Sequence, residues 1–444
     1  MKNTIKANQL RLVRLLLPVI SFLISLTSGF SESLSAGAGR VDITPDPKML
    51  NWVGHKPYDG VVDPIFVRAL VLADDTNKVV LVSWDLMDAS EPAVARVRGA
   101  VAKATGIPEK HILVNASHSH SAPFSPTYGA KLLKEEIGTL SPLVKDPVHQ
   151  TWAERLPHLC VEAVRKAEAA RRPATLALGR ANVAEVLFNR RPRKPDGSVE
   201  TVFEPTDPNV LTNGLRFGPM ASTLTVLVLR DERKQTIATV FQLPCHSVCV
   251  YPYHKGISAD WSGPVAARLQ SALGGEALFL QGCAGDIVPA RRGLEARDKM
   301  ARLISERALG AVTNALTLKP GRIHNGNATL GLPLTDTARI ELGQNTMSTE
   351  VQVITCGPLA IVGLPGEPLI DLAITIQKNS PFPHTLVLGY SNGSGVRYVG
   401  MPGEKARGGY EMGVAGAGTD ECGQRLVDSA LSLLRQQYSS AAKE

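Results

Sequence analysis

Short apolar runs alternate along the chain with longer stretches in which apolar residues recur at helical spacing. Residues 79–84 are a mostly apolar run that ends at Asp85, which predicts a strand buried on both faces. Residues 92–102 have helical spacing, and Gly106 ends that pattern. Residues 112–115 form the next apolar run. Strand, helix and strand in this order predict a βαβ unit with parallel strands and a right-handed crossover.

The same two patterns continue towards the C-terminus. They predict helices at residues 152–170, 264–273, 295–316 and 421–437. They predict strands at residues 175–183, 224–229, 237–243, 277–280, 351–355, 359–364 and 385–388, of which the second and third form a hairpin. No repeat, low-complexity segment or linker divides the chain. We therefore expect one large α/β domain with a mixed, partly parallel β-sheet flanked by helices.

The N-terminal residues have the pattern of a secretory signal peptide. Basic residues precede the apolar segment 15–26, which is short and interrupted by Pro18, so a membrane span is disfavoured. Small residues follow, which predicts cleavage between about residues 29 and 36. We expect a signal peptide at residues 1–35, export to the periplasm or the cell exterior, and a mature domain at residues 36–444. The alternative is an uncleaved membrane anchor.

Charge and cysteine content exclude two classes of protein. The 444 residues include 48 basic and 41 acidic side chains, a net charge of +7. Four of the basic residues belong to the signal segment, and without them the balance is 44 against 41, or +3. This charge does not support nucleic-acid binding. The 6 cysteines include no CxxC pair and are too few for a disulfide framework in a chain of this length.

Polar residues that could carry chemistry follow several of the predicted strands. His118 and His120 are two positions apart, so on extended backbone their side chains point to the same side. Both imidazoles could face one metal, or one could bind it while the other moves protons. His246 and Glu367 also follow apolar strands. Two histidines and a carboxylate are a familiar ligand set for a hydrolytic zinc; the alternative is a pair of surface histidines in a serine-rich turn.

A competing motif is the GxSxG sequence at residues 389–393. A serine hydrolase of the α/β type needs its histidine after the serine in the chain. Here the last histidine, His384, precedes Ser391, and residues 393–395 are a poor start for a helix. We therefore predict that Ser391 is not a nucleophile.

The ordered set of motifs resembles the N-terminal catalytic domain of the neutral ceramidase family. The resemblance is carried by GRVDITP at 39–45, VSWD at 82–85, NASHSHSAP at 115–123, NR at 189–190, CH at 245–246, SAD at 258–260, QGCAGD at 281–286, PGE at 365–367, Tyr398 and Tyr410. Members of this family are zinc amidohydrolases that cleave N-acylsphingosines into a fatty acid and a sphingoid base. The resemblance thus implies a Zn²⁺ cofactor and an N-acyl amide or lipid as substrate, with peripheral membrane contact if that substrate is a lipid.

The resemblance also implies a role for individual residues. His118, His246, Glu367 and Tyr398 would bind one zinc, and His120 and Tyr410 would contact the reacting carbonyl or the water. Arg190 resembles the active-site arginine of the family; the alternative is a solvated basic loop with its neighbours Arg191, Arg193 and Lys194. Apart from the resemblance, Asp260 and Asp286 lie in loops after predicted elements, where they would either orient ligating imidazoles or simply cap the loops.

Two departures from the family bear on mechanism and substrate. The family has a serine in a GDxSPN-like segment, whereas residues 285–290 read GDIVPA and place Val288 there. Activity must then rest on metal-activated water. We expect the chain to consist of the catalytic domain without the C-terminal immunoglobulin-like domain of the family. Other linear amides or esters are therefore alternative substrates, and a non-enzymatic exported binding protein is a third hypothesis. The sequence does not give the oligomeric state.

Overall fold

Strands form the framework of the molecule, as the apolar runs predict. The computed structural model describes residues 34–131, 134–413 and 415–441. Its strands, in chain order, are β1 (Ser35–Asp42), β2 (Phe66–Ala73), β3 (Lys78–Trp84), β4 (Ile112–Ala116), β5 (Arg172–Pro173), β6 (Thr175–Asn182), β7 (Leu187–Asn189), β8 (Thr223–Arg230), β9 (Thr236–Leu243), β10 (Glu276–Gln281), β11 (Ile287–Pro289), β12 (Leu316–Leu318), β13 (Ile323–Pro333), β14 (Thr346–Cys356), β15 (Leu359–Gly363), β16 (Glu367–Pro368), β17 (His384–Leu388) and β18 (Tyr398–Val399).

Helices connect and cover these strands. They are α1 (Glu91–Thr105), α2 (Lys134–Val144), α3 (Pro147–Ala169), α4 (Ser262–Leu273), α5 (Leu294–Thr313), α6 (Asp336–Leu342), α7 (Ile370–Asn379), α8 (Glu404–Arg407), α9 (Tyr410–Gly413) and α10 (Cys422–Ala441). Short 3₁₀ turns lie at Glu109–His111 and Ala184–Val186.

Most of the strands belong to three mixed sheets. The first has the order β4-β3-β2-β1-β5, the second β10-β9-β8-β6-β12, and the third β13-β14-β15-β17. Each contains one parallel pair at an edge, namely β3 with β4, β9 with β10, and β15 with β17. Two small sheets pair β7 with β11 and β16 with β18. The predicted α/β class, with a mixed and partly parallel arrangement, is confirmed.

The sheets pack against each other on one side and against helices on the other. Leu81 of β3, Val240 of β9 and Ile361 of β15 belong to one buried cluster, so the three sheets share a core. Helix α3 covers the first sheet, α4 and α5 cover the second, and α7 and α10 cover the third. Strands such as β2, β3, β9 and β15 are buried on both faces, so they read as continuous apolar runs in the sequence.

The fit of α3 on β1 depends on a glycine. A Cβ atom added at Gly39 would lie 2.6 Å from the Cβ of Lys166 and 2.8 Å from the carbonyl oxygen of Ala163. Any side chain at this position would push the helix away from the strand. The small residues of β1 therefore allow α3 to pack closely on the strand. Because they are small, β1 does not form an apolar run in the sequence.

The structure extends and corrects the predicted elements. The βαβ unit and the β8–β9 hairpin are confirmed. Helix α3 begins at Pro147, five residues before the predicted start, because the Asp146 side chain caps it by accepting from the Val148 amide at 3.0 Å. The helix predicted to reach residue 316 ends at Thr313, and Leu316 opens a strand instead. Sequence patterns miss β1, β2, β13, α2 and α7, and also the shorter elements β5, β7, β11, β12, β16, β18, α6, α8 and α9.

The predicted signal peptide lies almost entirely outside the described residues. Only its last two positions are described: Leu34 is buried, and Ser35 opens β1 opposite Ala73 of β2. Within the described ranges, no helix combines the length and the apolar character that a bilayer crossing requires. All 6 cysteines are described, and all are buried.

Candidate metal centre

His118 lies on the loop that leaves β4, where the backbone turns sharply. Its φ is 59°, in the left-handed region that non-glycine residues seldom adopt. The Nδ1–H donates to the carbonyl oxygen of Met87 at 2.6 Å. Because a carbonyl can only accept, Nδ1 carries the proton, and in the neutral ring Nε2 keeps a free lone pair. That lone pair faces the region where the other candidate residues converge.

His246 follows β9 and is held beside the His118 loop. Ser119 and Ser247 form a parallel bridge, and the His120 amide donates to the carbonyl of Ser247 at 3.0 Å. The Nδ1–H of His246 donates to the carbonyl oxygen of Ala284 at 2.6 Å, so its Nε2 is again the free nitrogen. His118 and His246 thus follow strands of different sheets, have the same tautomer and direct their Nε2 atoms to the same region.

Glu367 is positioned by a turn that needs glycine. Gly366 has a φ of 70°, and a Cβ there would lie 2.5 Å from the carbonyl oxygen of Arg397. The turn brings Glu367 into β16, directly opposite Tyr398 of β18 in a parallel register. The Pro-Gly-Glu motif at residues 365–367 therefore orients the Glu367 carboxylate and places Glu367 next to Tyr398.

The donor atoms of these residues are spaced as a small cation requires. His118 Nε2 and His246 Nε2 lie 3.2 Å and 3.5 Å from Glu367 Oε2. Ligand atoms on one tetrahedral zinc, at bonds of 2.0–2.1 Å, are about 3.3 Å apart. The Nε2 of His246 is buried and makes no hydrogen bond to any described residue, as expected for a ligand position. The residues fit a zinc ion.

His120 is a further donor at the same place. Its Nε2 lies 3.1 Å from Nε2 of His118, and the ligand atoms of His118, His120 and His246 all lie within 4.8 Å of one another. The sequence analysis gives His120 a role in proton transfer rather than in metal binding. The geometry is compatible with both roles.

Electrostatics hold the cluster in the protonation states that a metal needs. Burial, followed by the charge of Arg190, lowers the pKa of His246 to about 3. Burial and the neighbouring imidazoles lower the pKa of His120 well below its usual value. Burial raises the pKa of Glu367, but the imidazoles of His118 and His246 outweigh it and hold that pKa well below the usual range. The carboxylate is ionised, and His120 and His246 are neutral, near pH 7.

Arg190 is buried against Tyr398, which excludes the solvated-loop alternative. Its Nη2 donates to the Tyr398 hydroxyl oxygen at 3.0 Å, and its Nε donates to Glu411 Oε1 at 2.6 Å. Arg191 is also buried and pairs with Glu411 at 2.7 Å. Burial raises the pKa of Tyr398 well above its usual value, so this hydroxyl is a neutral phenol in the metal-free protein. The ion pairs of Arg190 and Arg191 with Glu411 thus hold the 189–193 loop against the segment that carries Tyr398 and Tyr410.

Tyr410 lies at the edge of a cavity that opens beside these residues. The cavity has a volume of about 230 Å³ and is lined by both tyrosines, His118, His120 and Glu367. The ring centroids of Tyr398 and Tyr410 are 5.8 Å apart. Tyr410 is 38% exposed, whereas Tyr398 is 6% exposed. The inner tyrosine is therefore shielded from solvent, whereas the outer one is accessible to whatever enters the cavity.

Neither candidate serine position offers a nucleophile. Ser391 is fully buried, and its hydroxyl donates to the carbonyl of Gly389 at 2.8 Å and accepts from Asn115 Nδ2 at 3.1 Å. Val288 lies in β11 and packs against Phe188 in a small apolar cluster. The GxSxG sequence is a structural turn in this chain.

Asp260 and Asp286 cap loops instead of orienting imidazoles. Asp260 accepts from the backbone amides of Cys249, Val250 and Trp261. Asp286 accepts from the Ile370 amide and from Asn189 Nδ2, both at 2.8 Å. The acceptors for the imidazoles are backbone carbonyls, which carry no side-chain signature and so could not be found from the sequence.

Tyr390 is a site residue that the sequence analysis misses. Its ring stacks on His118 with centroids 4.3 Å apart at 31°, and it lines the cavity. The signal was available, because Tyr390 follows strand β17 as His246 follows β9.

Comparison with known proteins identifies the fold. No family model and no curated protein matches the sequence. A crystal structure of neutral ceramidase from Pseudomonas aeruginosa superposes with a TM-score of 0.71 at 16% identity, over 91% of this chain and 75% of that one. A structure of ceramidase complexed with C2 gives a TM-score of 0.71 at 15% identity, over 91% of this chain and 76% of that one. The chain therefore has the fold of the neutral ceramidases, as the resemblance predicts.

Proposed function

We propose that the chain is a zinc-dependent amidohydrolase that hydrolyses the amide bond of an N-acylsphingosine or a related N-acyl lipid. The observation that supports this most strongly is the approach of His118 and His246 to Glu367, at 3.2 Å and 3.5 Å, on the wall of a cavity. Solved proteins with the same fold are ceramidases. Fold and donor set thus suggest the same chemistry.

The zinc would be held by His118, His246 and Glu367, with Tyr398 as the fourth ligand. A zinc bound there would lower the pKa of water and polarise the substrate carbonyl. The carbonyls of Met87 and Ala284 keep the two imidazoles in the required tautomer.

The remaining catalytic roles fall to residues that line or support the cavity. His120 is neutral near pH 7, so it can take a proton from the attacking water and deliver it to the leaving amine. Tyr410 can donate a hydrogen bond to the oxyanion that develops on the substrate carbonyl. Arg190 holds the hydroxyl oxygen of Tyr398 in place through its hydrogen bond of 3.0 Å.

The cavity provides an apolar wall for an acyl group. Trp52, Phe124 and Leu140 line it, and the ring centroid of Trp52 lies 5.6 Å from that of His120. Its volume of about 230 Å³ is below the roughly 300–1,000 Å³ of pockets that enclose drug-sized ligands. Only the amide and the first carbons of each chain would lie inside, and the rest of a lipid would extend through the mouth.

A smaller polar amide or ester is the second candidate substrate. The observation that favours it is the presence of Asp88, Glu136 and Arg397 in the lining of the same cavity. Charged side chains in a small cavity suit a polar substrate better than two alkyl chains. The zinc chemistry would be the same.

A substrate screen tests the proposal. The purified protein is assayed against N-acylsphingosines and against short-chain N-acyl amino compounds and esters, with and without a chelator. We expect turnover of at least one amide, its loss on chelation and its recovery with zinc. Turnover that is indifferent to chelation would contradict the mechanism. Zinc binding with no turnover of any amide or ester would favour the binding-protein hypothesis.

We also propose that the chain is exported after cleavage of its signal peptide. Because Leu34 is buried and β1 begins at Ser35, cleavage ahead of Leu34 would leave the first sheet complete. N-terminal sequencing of the exported protein tests this. A mature chain that begins at Met1 would contradict it.

A further inference from the structure

Tyr390 contacts two of the proposed ligands at once. Its ring stacks on the imidazole of His118, with centroids 4.3 Å apart and an interplanar angle of 31°. Its hydroxyl lies 3.4 Å from Glu367 Oε2, at the long end of hydrogen bonding. That oxygen is also the one nearest to Nε2 of His118 and of His246. One side chain therefore contacts both an imidazole and the carboxylate oxygen that faces both imidazoles.

The backbone of Tyr390 joins the segments that carry these ligands. Its amide donates to the carbonyl of Gly366 at 2.8 Å, next to Glu367, and its carbonyl accepts from the Ala116 amide at 3.0 Å, at the end of β4. Tyr390 adopts a φ of 48°, which is rare for an aromatic residue. The surrounding structure holds it in this conformation, and the conformation directs the ring into the cavity.

The contact between the Tyr390 hydroxyl and Glu367 pairs a donor with an acceptor. The hydroxyl carries the O–H, and the carboxyl oxygen of Glu367 accepts from it. Tyr390 is 3% exposed, so the contact is buried.

We propose that Tyr390 is a positioning residue of the metal centre, which orients Glu367 through its hydroxyl and His118 through its ring. This inference rests on the proposed function, because it concerns the same centre. Outer partners that orient metal ligands typically contribute about 10–100-fold to metal affinity.

The experiment measures the zinc dissociation constant by competition with a chelating dye. Tyr390→Phe removes the hydroxyl and keeps the ring, and Tyr390→Leu removes both. Tyr128→Phe is the matched control, because it deletes a hydroxyl that donates to the Ala153 carbonyl at 2.7 Å and does not line the cavity. The absorption bands of the cobalt-substituted proteins report ligand geometry, and denaturant unfolding of the metal-free proteins reports general destabilisation.

We expect Tyr390→Phe to weaken zinc binding about tenfold and to shift the cobalt bands. Tyr390→Leu should weaken binding further, and Tyr128→Phe should match the wild type. An unchanged dissociation constant in Tyr390→Phe, with one zinc bound to the wild type, would overturn the positioning role alone. Weaker binding with unchanged cobalt bands and a matching loss of metal-free stability would also overturn it. A wild-type protein that binds no zinc would refute the proposed centre itself, and this inference with it.

Discussion

His118 Nε2 and Glu367 Oε2 lie 3.2 Å apart, although His118 follows β4 of the first sheet, whereas Glu367 lies in the small β16–β18 sheet and in the opposite half of the chain. No local sequence feature links them. Isolated bridges join the strand ends of the three sheets, pairing Asn115 with Ser391 and Gly282 with Leu388. The pair is therefore a consequence of how the sheets meet, and a metal centre at this point depends on the whole fold.

The first prediction concerns metal content. The purified chain should bind about one zinc, the number that a single four-ligand site implies. His118→Ala/His246→Ala should abolish binding, because it removes two donors with fixed tautomers. Elemental analysis after dialysis measures this, with the exposed His158→Ala as control. Wild-type zinc content in the double variant would contradict the assignment.

The role of His120 is tested by removing its imidazole. If His120 moves protons, His120→Ala should keep its zinc and lose about 10²–10⁴-fold in kcat, the usual contribution of a general acid or base. If it is a ligand, zinc affinity should fall as well. Zinc content and kcat measured on the same preparation separate the two roles, and full activity would exclude both.

The two tyrosines should respond differently to loss of the hydroxyl. Tyr398→Phe should weaken zinc binding, because one of four proposed ligands is lost. Tyr410→Phe should keep its zinc and lose about 10²–10³-fold in kcat, or roughly 3–4 kcal/mol, as oxyanion donors do. KM should change less, since the bond strengthens in the transition state. Zinc loss confined to Tyr410→Phe would reverse the assignment.

Serine chemistry should contribute nothing to activity. Ser391 is fully buried and its hydroxyl donates to the Gly389 carbonyl. Serine-directed covalent reagents should leave turnover intact, whereas a chelator should stop it. Mass spectrometry of the treated protein is the check. Labelling of Ser391 in proportion to lost activity would contradict metal-activated water.

Asp286 should make stability fall with rising pH. Burial raises its pKa from 3.8 to about 7, so between these values the folded chain holds a proton that the unfolded chain releases. The free energy of unfolding therefore decreases as pH rises from about 4 to 7, by up to about 1.4 kcal/mol per pH unit from this group.

Asp286→Asn should remove that contribution while keeping an acceptor for the Ile370 amide. Urea unfolding of both proteins at pH 4.5 and pH 7 measures the difference in slope. Identical slopes would show that Asp286 is ionised throughout the range in the folded state.

The sequence by itself determined the α/β class and many of the longer elements, and it predicted a set of candidate site residues. Strands buried on both faces leave continuous apolar runs, and the polar residue that ends such a run marks a strand end, which is how His118, His246 and Glu367 were found. Strand β13 is not predicted because it is rich in glycine and polar residues. Strand β1 is not predicted because its residues are small, which allows the close approach of α3.

Only the tertiary structure decided which of these residues meet. Arg190 lies in a basic stretch, and nothing local shows that Glu411 and Tyr398 bury it. The carbonyls of Met87 and Ala284 have no side-chain signature, and Tyr390 approaches His118 only because β17 ends beside β4. Periodicity reports which face of an element is buried, whereas the approach of loops from three sheets depends on non-local strand pairing, which no local pattern encodes.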